Sequence, residues 1–152
     1  MFTATADRVT NYTPRDAQDS IRDRTDASVI YHLAHPDEIP ARLRELDREW
    51  DIERTLETGS STLTLVGLVL GATVSKKWLL LSLGVQGFFL QHAIQGWCPP
   101  LPMLRRVGVR TTEEISEERW ALIAILQRAA LTDLTEQLAR VRASLAVPND
   151  AG

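Results

Sequence analysis

The chain has a single cysteine, Cys98, no long basic run, no internal repeat and no apolar stretch near its N-terminus. One thiol excludes an internal disulfide framework and a multi-cysteine zinc site. A formal net charge of −3 without a basic patch argues against a nucleic-acid partner. The opening MFTATADRVTNYTPRDAQDS lacks the apolar core of a secretory signal, so membrane insertion would have to use an internal segment. A phosphate-binding glycine loop, a nucleophile elbow, an HExxH helix and a paired-carboxylate arrangement are all missing. His32 and His35 stand at i, i+3 but have no third ligand beside them. The sequence therefore assigns no catalytic residue, no metal site and no cofactor, and the protein is expected to be non-enzymatic.

Charge is the other scarcity, and it is local. Within residues 58–104 only Lys76 and Lys77 are charged, although 24% of the whole chain is. A soluble core normally alternates with surface charge, whereas a membrane segment with wet flanks is written in blocks. The block divides at Ser75-Lys76-Lys77 into helices over about 59–75 and 78–97. Twenty helical residues from Trp78 to Trp97 rise about 30 Å, with a tryptophan anchor at each end. The first half is slightly short of that length unless Thr55 to Thr58 are added. Cys98-Pro99-Pro100-Leu101-Pro102 ends the second helix.

The flanks read differently. Residues 1–28 are polar and poor in large apolar groups, so a flexible arm is expected. Over 29–58, Ile39, Leu43, Leu46 and Trp50 recur at helical spacing, with Asp37 as N-cap, which predicts an amphipathic helical segment. Thr111 and Glu114 make a capping box that opens a helix running to about Val147, within a C-terminal segment 105–147. Leu131, Leu134, Leu138, Val141 and Leu145 form its apolar stripe, and 148–152 are a tail. Arg42, Arg44, Arg48 and Arg54 before the block, and Arg105, Arg106 and Arg110 after it, outnumber the two lysines of the turn. The positive-inside rule then places both termini in the cytoplasm.

Within the block, Ser60, Thr64, Gly67, Gly71 and Ser75 step by four, three, four and four and line one helix face with small groups. Such a face admits close helix packing, either on the second helix of the same chain or on a second copy. The second helix is unusually polar. Gln91, His92 and Gln95 share a face that should turn inward and meet Thr64 or a neighbouring chain, with Gln86 pointing away. The plain reading of His92 is a neutral, hydrogen-bonded histidine, because no acidic residue lies in the span. Cys98 is a candidate thiol at a helix C-terminus, an environment that does not activate it.

The run TLTLVGLVLGATVSKKWLLLSLGVQGFFLQHAIQGWCPPLPMLRRVGVRT, residues 62 to about 112, resembles the YgaP-like transmembrane domain family of two-helix membrane modules. The resemblance rests on the GLVLG first helix, the short turn, the aromatic second helix, and G-W-C-P-P followed by V-G-V-R-T. It implies a helical hairpin in a bacterial inner membrane, often dimeric, with Cys98 matching the family cysteine. Some members add a rhodanese domain, for which this chain has no room. The expectation is thus an all-α, multi-pass protein with a two-helix transmembrane hairpin and cytoplasmic amphipathic flanks. It would contact the bilayer, form a homodimer or small homo-oligomer, and recruit a cytoplasmic protein. Two alternatives stay open: a handler of a sulfur species or small molecule using Cys98 and His92, and a soluble helical bundle.

Overall fold

The structure is a computed structural model and describes residues 9–145. Six α-helices carry it: α1 Arg15–Ala34, α2 Ile39–Leu46, α3 Ile52–Thr73, α4 Leu79–Gln95, α5 Leu101–Val107 and α6 Thr112–Leu145. Single 3-10 turns at Thr10–Tyr12, Pro36–Glu38 and Lys76–Trp78 complete the order, and no strand occurs among the described residues. The all-α expectation is met. The tail 148–152 and the first eight residues of the expected arm lie outside the described residues.

The membrane expectation is overturned. Among the described residues no helix is long and apolar enough to cross a membrane. The physical reasons are visible in both halves of the hairpin. Helix α3 begins at Ile52, so Glu53, Arg54 and Glu57 occupy its first turns, and Ser60, Ser61, Thr62 and Thr64 dilute its middle. Helix α4 has 17 residues, a rise of about 25 Å against a hydrocarbon core of about 30 Å. Gly96, at φ 80°, stops it before Trp97 by donating its N–H to the His92 carbonyl at 2.7 Å. The multi-pass inner-membrane location, the cytoplasmic orientation and the role of Trp78 and Trp97 as interfacial anchors fall with it. Trp78 lies exposed in the 3-10 turn and Trp97 is half-buried beyond α4.

A hairpin does form. Helices α3 and α4 pack along their length, and the small-residue face of α3 is the seam. At Gly67 an added Cβ would lie 2.4 Å from Ser82 Oγ, and at Gly71 one would lie 2.5 Å from Leu79 Cδ2. Ser82 Oγ donates to the Thr64 carbonyl at 3.0 Å, and Gln86 Nε2 donates to Thr64 Oγ1 at 2.8 Å. Gln86 therefore supplies the contact with Thr64 that was expected from the face carrying Gln91, His92 and Gln95. The outer faces of the hairpin leave Leu65, Val69, Leu80, Leu83 and Leu90 exposed.

The remaining helices form a body around the first half of α6. The presumed arm is a 20-residue helix from Arg15 onward. Its inward stripe is Ala17, Ile21, Thr25, Ser28 and His32, at steps of four, four, three and four, which are mostly small or polar groups. The predicted segment 29–58 breaks in two: α2 buries Ile39 and Leu46 against Ile115 and Leu122 of α6, then ends. Trp50 stays exposed, with the Arg54 guanidinium stacked 4.4 Å over its ring. Asp51 then caps α3 by accepting the Arg54 N–H at 2.8 Å. The predicted box at Thr111 and Glu114 opens α6, with both reciprocal bonds made, at 3.2 and 2.8 Å.

Ion pairs lock the body. Glu118, fully buried, accepts Arg42 Nε at 2.8 Å, Arg110 Nη1 at 2.5 Å and Ser28 Oγ at 2.6 Å. Arg110 also grips Glu49 through two bonds of 2.7 and 2.6 Å. Arg105, equally buried, forks onto Glu114 at 2.7 and 2.5 Å and donates to the Val109 carbonyl and to Thr13 Oγ1. Arg42, Arg105 and Arg110, which the sequence reading enlisted as topology signals, are thus internal partners of carboxylates.

Two predictions follow from this packing. Gly67→Ala forces the α3–α4 seam apart and is expected to lower stability by about 1–2 kcal/mol, overpacking outweighing the gain in helix propensity. Gly59→Ala, whose Cβ meets nothing within 4 Å, should raise it by about 0.5–1 kcal/mol in the same urea titration. The second concerns Glu118. Burial pushes its pKa up, but hydrogen bonds from Arg42, Ser28 and Arg110 prevail and hold it at about 2. A depressed carboxylate stabilises the fold above its unfolded pKa, so this contribution should vanish as pH falls from about 4.5 through about 2. Glu118→Gln should cost about 3 kcal/mol at neutral pH by stranding buried arginines, and it should flatten that acid limb of thermal melts.

Candidate functional site

The base of the hairpin gathers the polar groups that the body does not use. Helix α4 delivers His92 one turn before its Gly96 stop, and the Trp97-Cys98-Pro99-Pro100 segment turns Cys98 back toward α3. The first turn of α3 supplies Glu53. His92 is 1% exposed, and its Nε2 lies 3.2 Å from Glu53 Oε2. Its other ring nitrogen, Nδ1, is buried and has no hydrogen-bond partner among the described residues. Cys98, 3% exposed and unpaired, belongs to an apolar cluster with Val9, Ile52, Leu56 and Leu101. Its thiol and the Glu53 carboxylate, in that order of weight, raise the His92 imidazole to about 9 against the opposing effect of burial. His92 is therefore charged at neutral pH, not the neutral group expected from the sequence.

Cys98 also forms part of the wall of a cavity of 430 Å³ between the two hairpin helices and α5. Leu56, Leu63, Val85, Phe88, Phe89 and Leu104 give it an apolar lining, and Gly59 and Ser60 open onto it. The wall hydroxyls are already engaged: Thr55 Oγ1 donates to the Asp51 carbonyl at 2.8 Å and Ser60 Oγ to the Glu57 carbonyl at 3.2 Å. Volume and polarity are those of a pocket for a small lipophilic molecule. Cys98 lines this pocket, whereas neither His92 nor Glu53 does.

The other sequence-predicted positions distribute as follows. Ser60 and Thr64 are half-buried on the α3 inner face, Gly67 and Gly71 are buried in the seam, and Ser75 caps the turn below it. Gln91 is half-buried and Gln95 exposed, and neither joins His92 in the Glu53 pair. His32 and His35 each bond a carbonyl one turn earlier in α1, Ser28 and Tyr31. No group of three metal-ligating side chains occurs among the described residues. Glu53 was missed because it is separated from His92 by 39 residues and sits among ordinary helix-start charges. Its place two residues after the Asp51 cap was the available signal. No family model matches the chain, and neither a curated protein nor a solved structure shows significant similarity to it.

The His92 charge gives a direct check. A histidine raised by its partners stabilises the fold below its unfolded pKa, near 6.5, and this contribution is lost as pH rises through about 9. Proton NMR of the His92 ring should show a midpoint near 9 in the parent protein. Glu53→Gln and Cys98→Ala should each move it downward, and a parent midpoint near 6.5 would refute the arrangement.

Proposed function

We propose that the protein is a non-enzymatic helical module that works by self-association, with a second copy of the chain bound along the outer half of α6. The observation that carries this reading is the state of that helix. Every residue from 127 to 145 is exposed; Arg128, Ala129 and Thr132 still border a groove with Leu33 and Pro36, and beyond them α6 runs on as an exposed stem. Such a stretch is marginal as an isolated helix in water, because packing rather than propensity normally holds a helix together. Yet it carries Leu131, Leu134, Leu138, Val141 and Leu145, each more than half exposed. Their steps of three, four, three and four are the a/d pattern of a coiled-coil seam.

A second copy is the occupant that this stripe suits. The seam is apolar along its whole length and so is self-complementary, as a two-fold interface requires. Its charges lie elsewhere and are satisfied in place: Arg140 pairs with Glu136 at 3.3 Å and Gln137 bonds Asp133 at 2.8 Å. Residues 137 and 142, which flank the seam as glutamine and arginine, put no like charges against each other across it. The resemblance to the YgaP-like module, whose members often dimerise, points the same way. Its membrane setting does not carry over.

Sedimentation equilibrium decides the matter. The parent chain is expected to be a dimer or small oligomer at micromolar concentration. Leu134→Lys with Leu138→Lys should give a monomer whose helical circular dichroism is reduced by the unsupported stem. A parent chain that sediments as a monomer, or a double variant that stays associated, would remove the proposal.

A further inference from the structure

We propose that two copies of α6 lie parallel and in register, along a seam that runs beyond the stem onto the body as far as Trp120, with Gln127 fixing the direction. This rests on the self-association reading and adds to it the extent of the interface, its orientation and the residue that sets it.

The extent comes from the pattern of exposure along α6. Continued backward at steps of four and three, the leucine stripe reaches Gln127, Ala124 and Trp120, and all three are exposed. Trp120 is 66% exposed although it lies between residues that the body buries. Those residues, Ile115, Glu118 and Leu122, fall at the b and f positions of the same heptads, away from the a and d positions of the stripe. The body therefore packs on one face of α6 and leaves the opposite face free. Glu117, at the next a position, ends the stripe with a charge. The leucine stripe alone spans about two heptads, fewer than the three or four over which a coiled-coil pattern is normally sustained. The run from Trp120 to Leu145 supplies more than three.

The direction comes from Gln127. With Leu131, Leu138 and Leu145 at a, the d positions are Trp120, Gln127, Leu134 and Val141. A parallel in-register pair sets d against d, so the two Gln127 amides meet, each able to donate to the other. An antiparallel pair sets d against a. Every such register that keeps the stem paired leaves Gln127 against Leu131, Leu138 or Leu145, with its amide unsatisfied in an apolar seam, which is costly. One polar residue in an otherwise apolar seam fixes register in this way at some expense of stability. Charge agrees with it. Antiparallel pairing of Leu134 with Leu138 brings Arg128 against Arg142 of the second copy, whereas in the parallel pair Arg142 faces the uncharged Gln137.

Disulfide cross-linking in a glutathione redox buffer tests the arrangement. Ala124→Cys and Leu145→Cys, made separately in the full chain, place a thiol at either end of the seam. An antiparallel pair can bring only residues at its centre opposite their own counterparts, so only a parallel pair cross-links both variants. The parent, whose one thiol is buried, and Ala143→Cys, at an f position facing away from the seam, are the controls. Both end variants are expected to form the intermolecular disulfide about 10²-fold faster than Ala143→Cys, because facing thiols have a millimolar effective concentration. Gln127→Leu should associate at least as tightly in sedimentation. Combined with Ala124→Cys, it should lose about half or more of the cross-link, because antiparallel registers then form as well. If the parent sediments as an oligomer but either end variant cross-links no faster than Ala143→Cys, the parallel arrangement is wrong while self-association stands. If the parent is a monomer, both fall. An undiminished cross-link in the Gln127→Leu variant would remove Gln127 as the residue that sets the direction.

Discussion

The fold of the body depends on one constraint, that Glu118 must be neutralised where water cannot reach it. A carboxylate with no exposed surface costs several kcal/mol to desolvate, and only close, well-aligned donors repay that. Here the donors come from different parts of the chain: Arg42 from α2, Arg110 from the residues just before α6, and Ser28 from α1. Meeting the needs of one carboxylate therefore fixes the relative placement of three helices and a linker. Arg105 repeats the device one level away, joining α5 to Glu114 and to Thr13 ahead of α1. Such pairs add little net stability over a hydrocarbon core of the same volume, but an alternative packing would strand them. That penalty singles out one arrangement in a body whose buried apolar residues are few.

The hairpin is attached to this body at its base. The Ile52 N–H donates to the Arg110 carbonyl at 2.9 Å, and Thr112 Oγ1 donates to Asp51 Oδ2 at 2.7 Å. The N-cap of α3 is thus joined to the residues that start α6, next to the arginine that holds Glu118. Fixing α3 fixes Glu53, and the glycine seam then determines where α4 brings His92. The register matters: Gly67 and Gly71 leave no room for a Cβ, so α4 cannot slide without a clash. The pocket and its thiol exist because a tight seam above and a short α5 below leave the hairpin base splayed.

How much of this was legible in the sequence divides along the range of the interactions. Local patterns came through. The helical class, the capping box at Thr111 and Glu114, the small-residue face through Gly67 and Gly71, and the stripe from Leu131 to Leu145 all follow from spacing within a few turns. Pairings across the chain did not. Nothing near Glu118 marks it as buried, and its arginine partner Arg42 is 76 residues away. Helix α1 was missed because its inward face is made of Ala17, Thr25, Ser28 and His32, which a search for large apolar residues passes over. The membrane reading failed for a subtler reason. A block poor in charge is equally the mark of a bilayer span and of a hairpin whose apolar faces meet protein. Helix length separates the two, and Gly96 together with the Asp51 cap makes both helices shorter or more polar than a span requires.

The result inverts the usual distribution of charge. The interior of the body is held by arginine–carboxylate pairs, while large apolar groups are displayed on the outer α6 stem and on the hairpin. Apolar surface of that extent is unfavourable on an isolated monomer, and in natural proteins it marks a place of contact. The two surfaces are not equivalent. The stem is a single helix with a regular a/d seam, which only another helix can cover along its length. The hairpin is two helices wide and already satisfied along its seam, so its outer faces present a broad patch without a repeating register. Association along the stem would leave the hairpin base, with Cys98 and its pocket, unobstructed, because the stem begins several turns beyond the α6 residues that bind α3. The stem and the hairpin are therefore separate surfaces of the chain, joined through the Glu118 network that holds α6 in place.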